Sequence, residues 1–343
     1  MRLPPKWIRR VIIDPLFVVV IGLLILVLPL WLLVVTFLSR YVPGKWRPLR
    51  VAWFIFLYLL IEVVSLIALF FTWVASGFGW KLRSEGFMGA HYALLGWMLR
   101  RVVGSALKTF KINMEGEGDR PQALGASPLG RTRPILVLSR HAGPGDSILL
   151  MNGLYNTYHR EPRIVMKEFL QWDPAIDVLL NRIPVAFVPA GHKGRDALLE
   201  AIGELAASMG VDNAYVIFPE GANFTERRRD RAIEKLTEMG RADLAERAKD
   251  LKETLPPRST GVKTALAYAS GPVDVFFVGH AGLESFVTIG DIWRGMPMDT
   301  NVHVRIWHVP AEEIPPPEGQ EAWLFDAWAE IDSWITSRLE QTA

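Results

Sequence analysis

The sequence predicts an α/β protein: a mostly parallel or mixed sheet flanked by helices, preceded by an N-terminal transmembrane helical hairpin and an interfacial amphipathic helix. Three observations lead there. From Ile135 onward, short apolar runs bounded by turn signals alternate with helical patterns, the order that builds a mostly parallel sheet. Before residue 79 lie two apolar segments long enough to cross a bilayer core of about 30 Å. Finally, the strand-like run Leu136-Val137-Leu138-Ser139 leads straight into Arg140-His141-Ala142-Gly143-Pro144-Gly145-Asp146. A histidine and a carboxylate thus arrive together at a strand end, where α/β sheets place their reactive groups.

Composition sets the limits. The 343 residues allow about two domains. Half of them are hydrophobic and the mean hydropathy is +0.19, with the apolar excess at the N-terminal end. Lys and Arg number 38 against 36 Asp and Glu, a net charge of +2 that leaves no electrostatic footprint for nucleic acid. There is no cysteine, which excludes disulfides, thiolate metal sites and a cysteine acyl-enzyme.

The N-terminal elements follow from hydropathy. Leu16 to Leu38 carries no charge over 23 residues, too long for a signal-peptide core, and no cleavage site follows, so the segment is expected to be retained. Val51 to Ala75 is apolar apart from Glu62 and a few hydroxyl residues, and Glu62 is expected to face a partner helix or the neck of the protein. Pro43-Gly44-Lys45 is a turn that joins the two segments into a hairpin, multi-pass or re-entrant. Arg2, Lys6, Arg9 and Arg10 favour a cytoplasmic N-terminus, and Arg40, Lys45, Arg47 and Arg50 pull the other way. From Gly79 to Lys111, Phe87, Tyr92, Leu94, Leu95, Trp97, Met98 and Leu99 interleave with Lys81, Arg83, Arg100, Arg101 and Lys108, the make-up of an interfacial helix or of a core helix. The resulting division is an anchor over 1–78, an interfacial helix and connector over 79–118, and a catalytic domain over 119–343 with a charged insert at 226–256.

Within that domain strands are expected at Ile135 to Leu138, Ile164 to Met166, Val185 to Val188, Tyr215 to Phe218 and Val273 to Val278, with an edge strand at Asn301 to Val309. Helices are expected at Ser147 to Tyr158, Asp173 to Asn181, Gly194 to Ser208 and Val262 to Ser270. Glu226 to Glu253, with interleaved charges, reads as a solvated helical face, and Arg227, Arg228 and Arg229 offer a local lipid-headgroup contact as the alternative. Trp323, Trp328, Ile331, Trp334, Ile335 and Leu339 fall near helical spacing and suit core packing. Pro315, Pro316 and Pro317 form a stiff linker into that helix.

A His-x4-Asp spacing alone is weak, since 7 histidines and 36 acids in 343 residues give roughly 0.7 chance matches. Its company is what counts. Phe218-Pro219-Glu220-Gly221 follows, then Pro257-Arg258-Ser259-Thr260-Gly261, and that order resembles the glycerophospholipid acyltransferases. The resemblance covers about Arg131 to Leu339 and is greatest to the long-insert lysocardiolipin and lysophospholipid acyltransferase branch of the lysophosphatidic acid acyltransferase family. It rests also on Lys167, Leu170 and Pro174 with Ala186-Phe187-Val188, on Ala222-Asn223-Phe224-Thr225-Glu226, on Val273-Asp274-Val275, on Val302-His303-Val304-Arg305 and on the Trp323-rich helix.

The resemblance implies His141 and Asp146 as the catalytic pair, with Glu220, Gly221, Lys167, Lys193, Arg195, Arg258 and Gly261 on the substrate side. It implies no resident cofactor or metal. Acyl-CoA, or an acyl carrier protein, would be the donor, and a lysophospholipid at a membrane the acceptor, first of all 1-acyl-glycerol-3-phosphate. The catalytic domain would face the cytoplasm.

In that chemistry His141 is the base for the acceptor hydroxyl and Asp146 holds its tautomer and stabilises its charged form. The helix starting near Ser147 would aim backbone N–H groups at an oxyanion or phosphate. This chain departs from the family where Asn223 and Ala190 stand in place of expected arginines and Arg140 in place of a frequent asparagine. Lys193 and Arg195 are the nearest substitutes for the missing cations. Two other classes share these groups: a membrane lipid hydrolase, although no Gly-x-Ser-x-Gly elbow or His-Glu-x-x-His zinc site is present, and an inactive membrane adaptor of the same fold.

Overall fold

The computed structural model describes residues 3–117, 131–143, 145–189, 195–284 and 289–342. The chain forms two compact units: residues 1–112, 166–197 and 293–299 make one, and residues 113–165, 198–292 and 300–343 make the other.

The first unit begins with α1 (Lys6–Leu26), which passes through a wide turn at Arg9–Ile13, and α2 (Leu28–Ser39). The first apolar segment is therefore not one straight span. It breaks at Val27, and the two arms meet at 64°. Pro29 explains the break: it has no N–H to donate four residues back, and its ring clashes with the carbonyl there. By contrast α3 (Arg47–Ala75) is continuous over 29 residues, about 43 Å at 1.5 Å per residue, and is apolar enough to cross a membrane unaided. The bent pair can supply a second crossing or a re-entrant loop. Beside α3 packs α4 (Glu85–Phe110).

Several polar contacts inside this unit are buried. Arg9 donates to both carboxylate oxygens of Asp177 at 2.9 and 3.0 Å, and Arg10 pairs with the same residue at 2.7 Å. Glu62 is buried, as its place in an apolar helix requires, and its Oε2 accepts the Ala175 N–H at 3.0 Å. Tyr58 donates to Asp173 in the same region.

Seven strands form one mixed sheet: β1 (Ile112–Glu117), β2 (Ile135–Ser139), β3 (Glu161–Lys167), β4 (Val185–Val188), β5 (Asn213–Ile217), β6 (Asp274–Ala281) and β7 (Thr300–Val309). Their spatial order is β1-β7-β6-β2-β5-β3-β4. The central strand β2 is buried along its whole length and runs parallel to both neighbours, with Leu136 level with Tyr215 on β5 and Val275 on β6. Only β7 is shown antiparallel, pairing Val278 with Ile306 and His280 with Val304. The edge position expected for Asn301 to Val309 is taken instead by β1. Its sequence Ile-Asn-Met-Glu-Gly-Glu lacks apolar alternation, and four of its six residues are exposed, so periodicity does not mark it.

The helices that alternate with these strands in the second unit match their sequence patterns. Helix α5 (Asp146–Asn152) follows β2 and runs on through a wide turn at Gly153–Thr157. In the first unit α6 (Pro174–Leu180) is capped by the Asp173 side chain, which accepts the Ile176 N–H. Helix α7 (Arg195–Ala207) precedes β5.

The charged insert folds as α8 (Glu226–Glu238) and α9 (Ala242–Lys249), and α8 buries no residue. It is a solvated helix that rests only Ile233 and Leu236 against Leu244, Ala248 and Phe325. Then come α10 (Ser259–Tyr268), α11 (Ile289–Gly295) and α12 (Gln320–Thr342), whose Trp328, Ile331, Trp334 and Ile335 are core residues, as their spacing foretells.

Candidate active site

Strand β2 ends in the centre of the sheet, and the chain leaves it through Arg140 and His141. Asp146, the first residue of α5, folds back so that both its oxygens reach His141 Nδ1, at 2.9 and 3.1 Å. The imidazole is one-quarter exposed while the carboxylate is 3% exposed. A carboxylate on Nδ1 fixes the tautomer with the proton there, which leaves Nε2 as the basic nitrogen. The Phe218 ring lies 4.8 Å from the imidazole, centre to centre.

Backbone donors surround the Asp146 carboxylate. Ala142, Gly143 and Ser147 each give it an N–H, at 2.8, 3.1 and 2.6 Å. These amides at the start of α5 are therefore turned onto the carboxylate, and the oxyanion role expected of that helix start does not belong to the Ser147 N–H. Burial pushes the Asp146 pKa up, but the hydrogen bond and charge of His141 and the Gly143 N–H outweigh it, so the acid stays below its usual value.

Glu220, expected on the substrate side, turns its carboxylate onto backbone N–H groups. It is 1% exposed, and its two oxygens accept the N–H groups of His141 and Leu255, both at 3.4 Å. Burial raises its pKa to about 8, against the lowering effects of Arg140 and of those two N–H groups. It braces the catalytic loop from behind. Gly221 next to it has φ +69, a backbone conformation that favours glycine, and a Cβ there would push on the exposed Arg258 guanidinium at 3.1 Å. Arg258 itself is exposed, and its N–H donates to the Pro219 carbonyl at 2.9 Å. The insert starts at the same spot, since the Phe224 N–H donates to the His141 carbonyl at 3.2 Å.

Of the remaining expected residues, Gly261 lies in the first turn of α10, where a Cβ would press on Ile202 at 3.3 Å, a helix-packing position. Lys167 is exposed at the end of β3 in the first unit. Lys193 and Ala190 lie outside the described residues, as does the side chain of Arg195, the first residue of α7.

Two residues here escape sequence reasoning. Arg140 is completely buried, and its guanidinium donates to the His280 carbonyl at 2.7 Å, to the Glu253 carbonyl at 2.8 Å and to the Glu284 carboxylate. It ties the ends of β2 and β6 to the loop before α10. That loop is held from α12 as well, where Asp332 accepts the N–H groups of Lys252 and Glu253 and the Thr254 hydroxyl at 2.8 to 2.9 Å. His280, on β6, stands 3.8 Å from Asp146 Oδ2. A lone histidine within a strand gives no sequence signal.

Fold and site define an α/β domain with a hydrogen-bonded His–Asp pair at the end of its central strand, a geometry able to act as a general base. No serine among the described residues bonds to His141, and the chain has no cysteine, so the arrangement suits a nucleophile brought by a substrate. Residues 111–278, from β1 into β6, match the family model described as Acyltransferase. The chain therefore carries a domain of the glycerophospholipid acyltransferase family. No curated protein matches it.

Proposed function

We propose that this is a membrane-bound O-acyltransferase that moves a fatty acyl group from acyl-CoA, or an acyl carrier protein, to the hydroxyl of a lysophospholipid. 1-Acyl-glycerol-3-phosphate is the first candidate acceptor. The observation that carries the reading is the His141–Asp146 pair at 2.9 Å inside a domain of acyltransferase type. His141 Nε2 takes the proton of the acceptor hydroxyl as its oxygen attacks the thioester carbonyl. A tetrahedral oxyanion forms; its collapse breaks the C–S bond, and the imidazolium returns the proton to the departing thiolate. Asp146 stabilises the imidazolium between the two steps. Helix α3 and the bent α1–α2 pair support residence in a membrane, and Lys6 with its basic neighbours supports a cytoplasmic catalytic face.

The test is incubation of the purified full-length protein with acyl-CoA and a panel of lysolipids. Transfer of the acyl chain to a lysolipid is the expected result. Release of free fatty acid alone would make the protein a hydrolase, and the absence of both products with every donor and acceptor would make it an inactive adaptor.

A further inference from the structure

His280 is buried, with its side chain 8% exposed, yet neither of its ring nitrogens has a hydrogen-bond partner among the described residues. Buried polar atoms are usually bonded, so an exception at such a place calls for a reason. Its Nε2 faces the Asp146 oxygen that also holds His141 Nδ1, at 3.8 Å. Asp146 thus stands between two imidazoles, one partly open to substrate and one sealed in the protein. The charged and titratable groups facing His280 are Arg140 at the end of β2, Asp146 in α5, Glu284 after β6, and His141 beyond Asp146. Arg140 lies against it directly, donating to its carbonyl.

We propose that His280 is a positioning residue, an imidazole that walls the far side of the Asp146 carboxylate so that His141 alone can take up the proton of the reaction. Burial and the adjacent Arg140 charge both disfavour an imidazolium at this position, and hold its pKa at about 4. A charged His280 would compete for Asp146 and weaken its support of His141. A neutral one presents an N–H dipole that shares a little of the carboxylate's charge without neutralising it. The dense tie of Arg140 to Glu284 and to the His280 and Glu253 carbonyls keeps that cation in place.

The role rests on the acyl-transfer reading, but its test does not need turnover. Nitrogen-15 NMR of histidine-labelled protein follows His141 and His280 separately through pH. In His280→Leu the Asp146 charge loses the shared dipole, and His141 becomes the better base, titrating higher by ~0.5–1 unit. His280→Gln, which keeps an N–H donor, leaves the His141 titration near that of the wild type. His280→Phe, a second apolar variant, guards against a Leu variant that fails to melt cooperatively. The wild-type spectrum is an arm of its own: His280 must remain neutral down to about pH 5. An unshifted His141 in a folded apolar variant, or an imidazolium His280 at pH 6, overturns the proposal. Absent acyl transfer in the wild type would instead overturn the proposed function and leave the NMR result to decide the role of His280.

Discussion

The N–H of His141 donates to the carboxylate of Glu220, a group buried to 1% exposure and 79 residues away in sequence. The burial of that carboxylate makes stability depend on pH in a definite direction. An unfolded glutamate gives up its proton near 4.5, whereas folded Glu220 keeps it to about 8. Between those values the folded state holds the extra proton, so the contribution of Glu220 is complete below about pH 4.5 and drains away as pH rises through 8. Thermal melts of Glu220→Gln from pH 5 to pH 8 should fall less steeply than those of the wild type. Parallel curves would show that Glu220 ionises in the folded protein as it does in water.

Removing the base should silence the chemistry and spare the fold. His141→Ala is expected to lose at least about 10²-fold in turnover, the lower end for general-base catalysis. Asp146→Asn should be as severe, because the amide N–H can donate to Nδ1 and hold His141 as the tautomer whose Nε2 already carries the proton. Because Asp146 also collects three backbone N–H groups, its variant should show a lower melting temperature than the His141 variant. Turnover that survives in a cooperatively folded His141→Ala would remove this residue from the mechanism.

An anionic headgroup on the proposed acceptor would be met by cations elsewhere than positions 190 and 223, which are Ala and Asn. Arg258, exposed beside Gly221, is the best-placed described candidate. Arg258→Ala should raise the acceptor KM more than the donor KM. If the headgroup is anionic, Lys193→Ala with Arg195→Ala should add to it, since a charge-assisted hydrogen bond contributes about 1.5–3 kcal/mol. An acceptor KM unmoved by all three changes in an active enzyme points to a neutral or zwitterionic lysolipid.

Membrane residence is checked by washing. Membranes stripped with alkaline carbonate should retain the full-length protein, and tags at its two ends should be accessible from the same side if α1 and α2 together make one crossing. Full-length protein recovered without detergent in the supernatant would contradict the anchor. Tags on opposite sides would make the bent pair re-entrant and leave α3 as the single span.

The strand and helix order was readable because buried parallel strands are continuous apolar runs, as Leu136-Val137-Leu138 and Val275-Phe276-Phe277-Val278 are, and each sits between turn residues. The His141–Asp146 contact was readable because both residues lie in one short loop. What stayed hidden is long-range. Nothing near Glu220 in sequence says that its carboxylate turns inward to His141 and Leu255, and nothing near Arg140 announces Glu284. The break at Val27 was within reach, since Pro29 follows it, but hydropathy averaged over the segment conceals a single missing N–H.

Asp332 belongs to α12, well past the last residue of the matched stretch at 278, yet it grips three successive residues of the loop that also contacts Arg140 and Glu220. His141 is thereby moored, through Glu220 and that loop, to the final helix. A protein shortened after residue 318 would keep every matched residue and still let that loop drift. The family match stops at residue 278, but the loop beside His141 is held in place by a helix that lies beyond it.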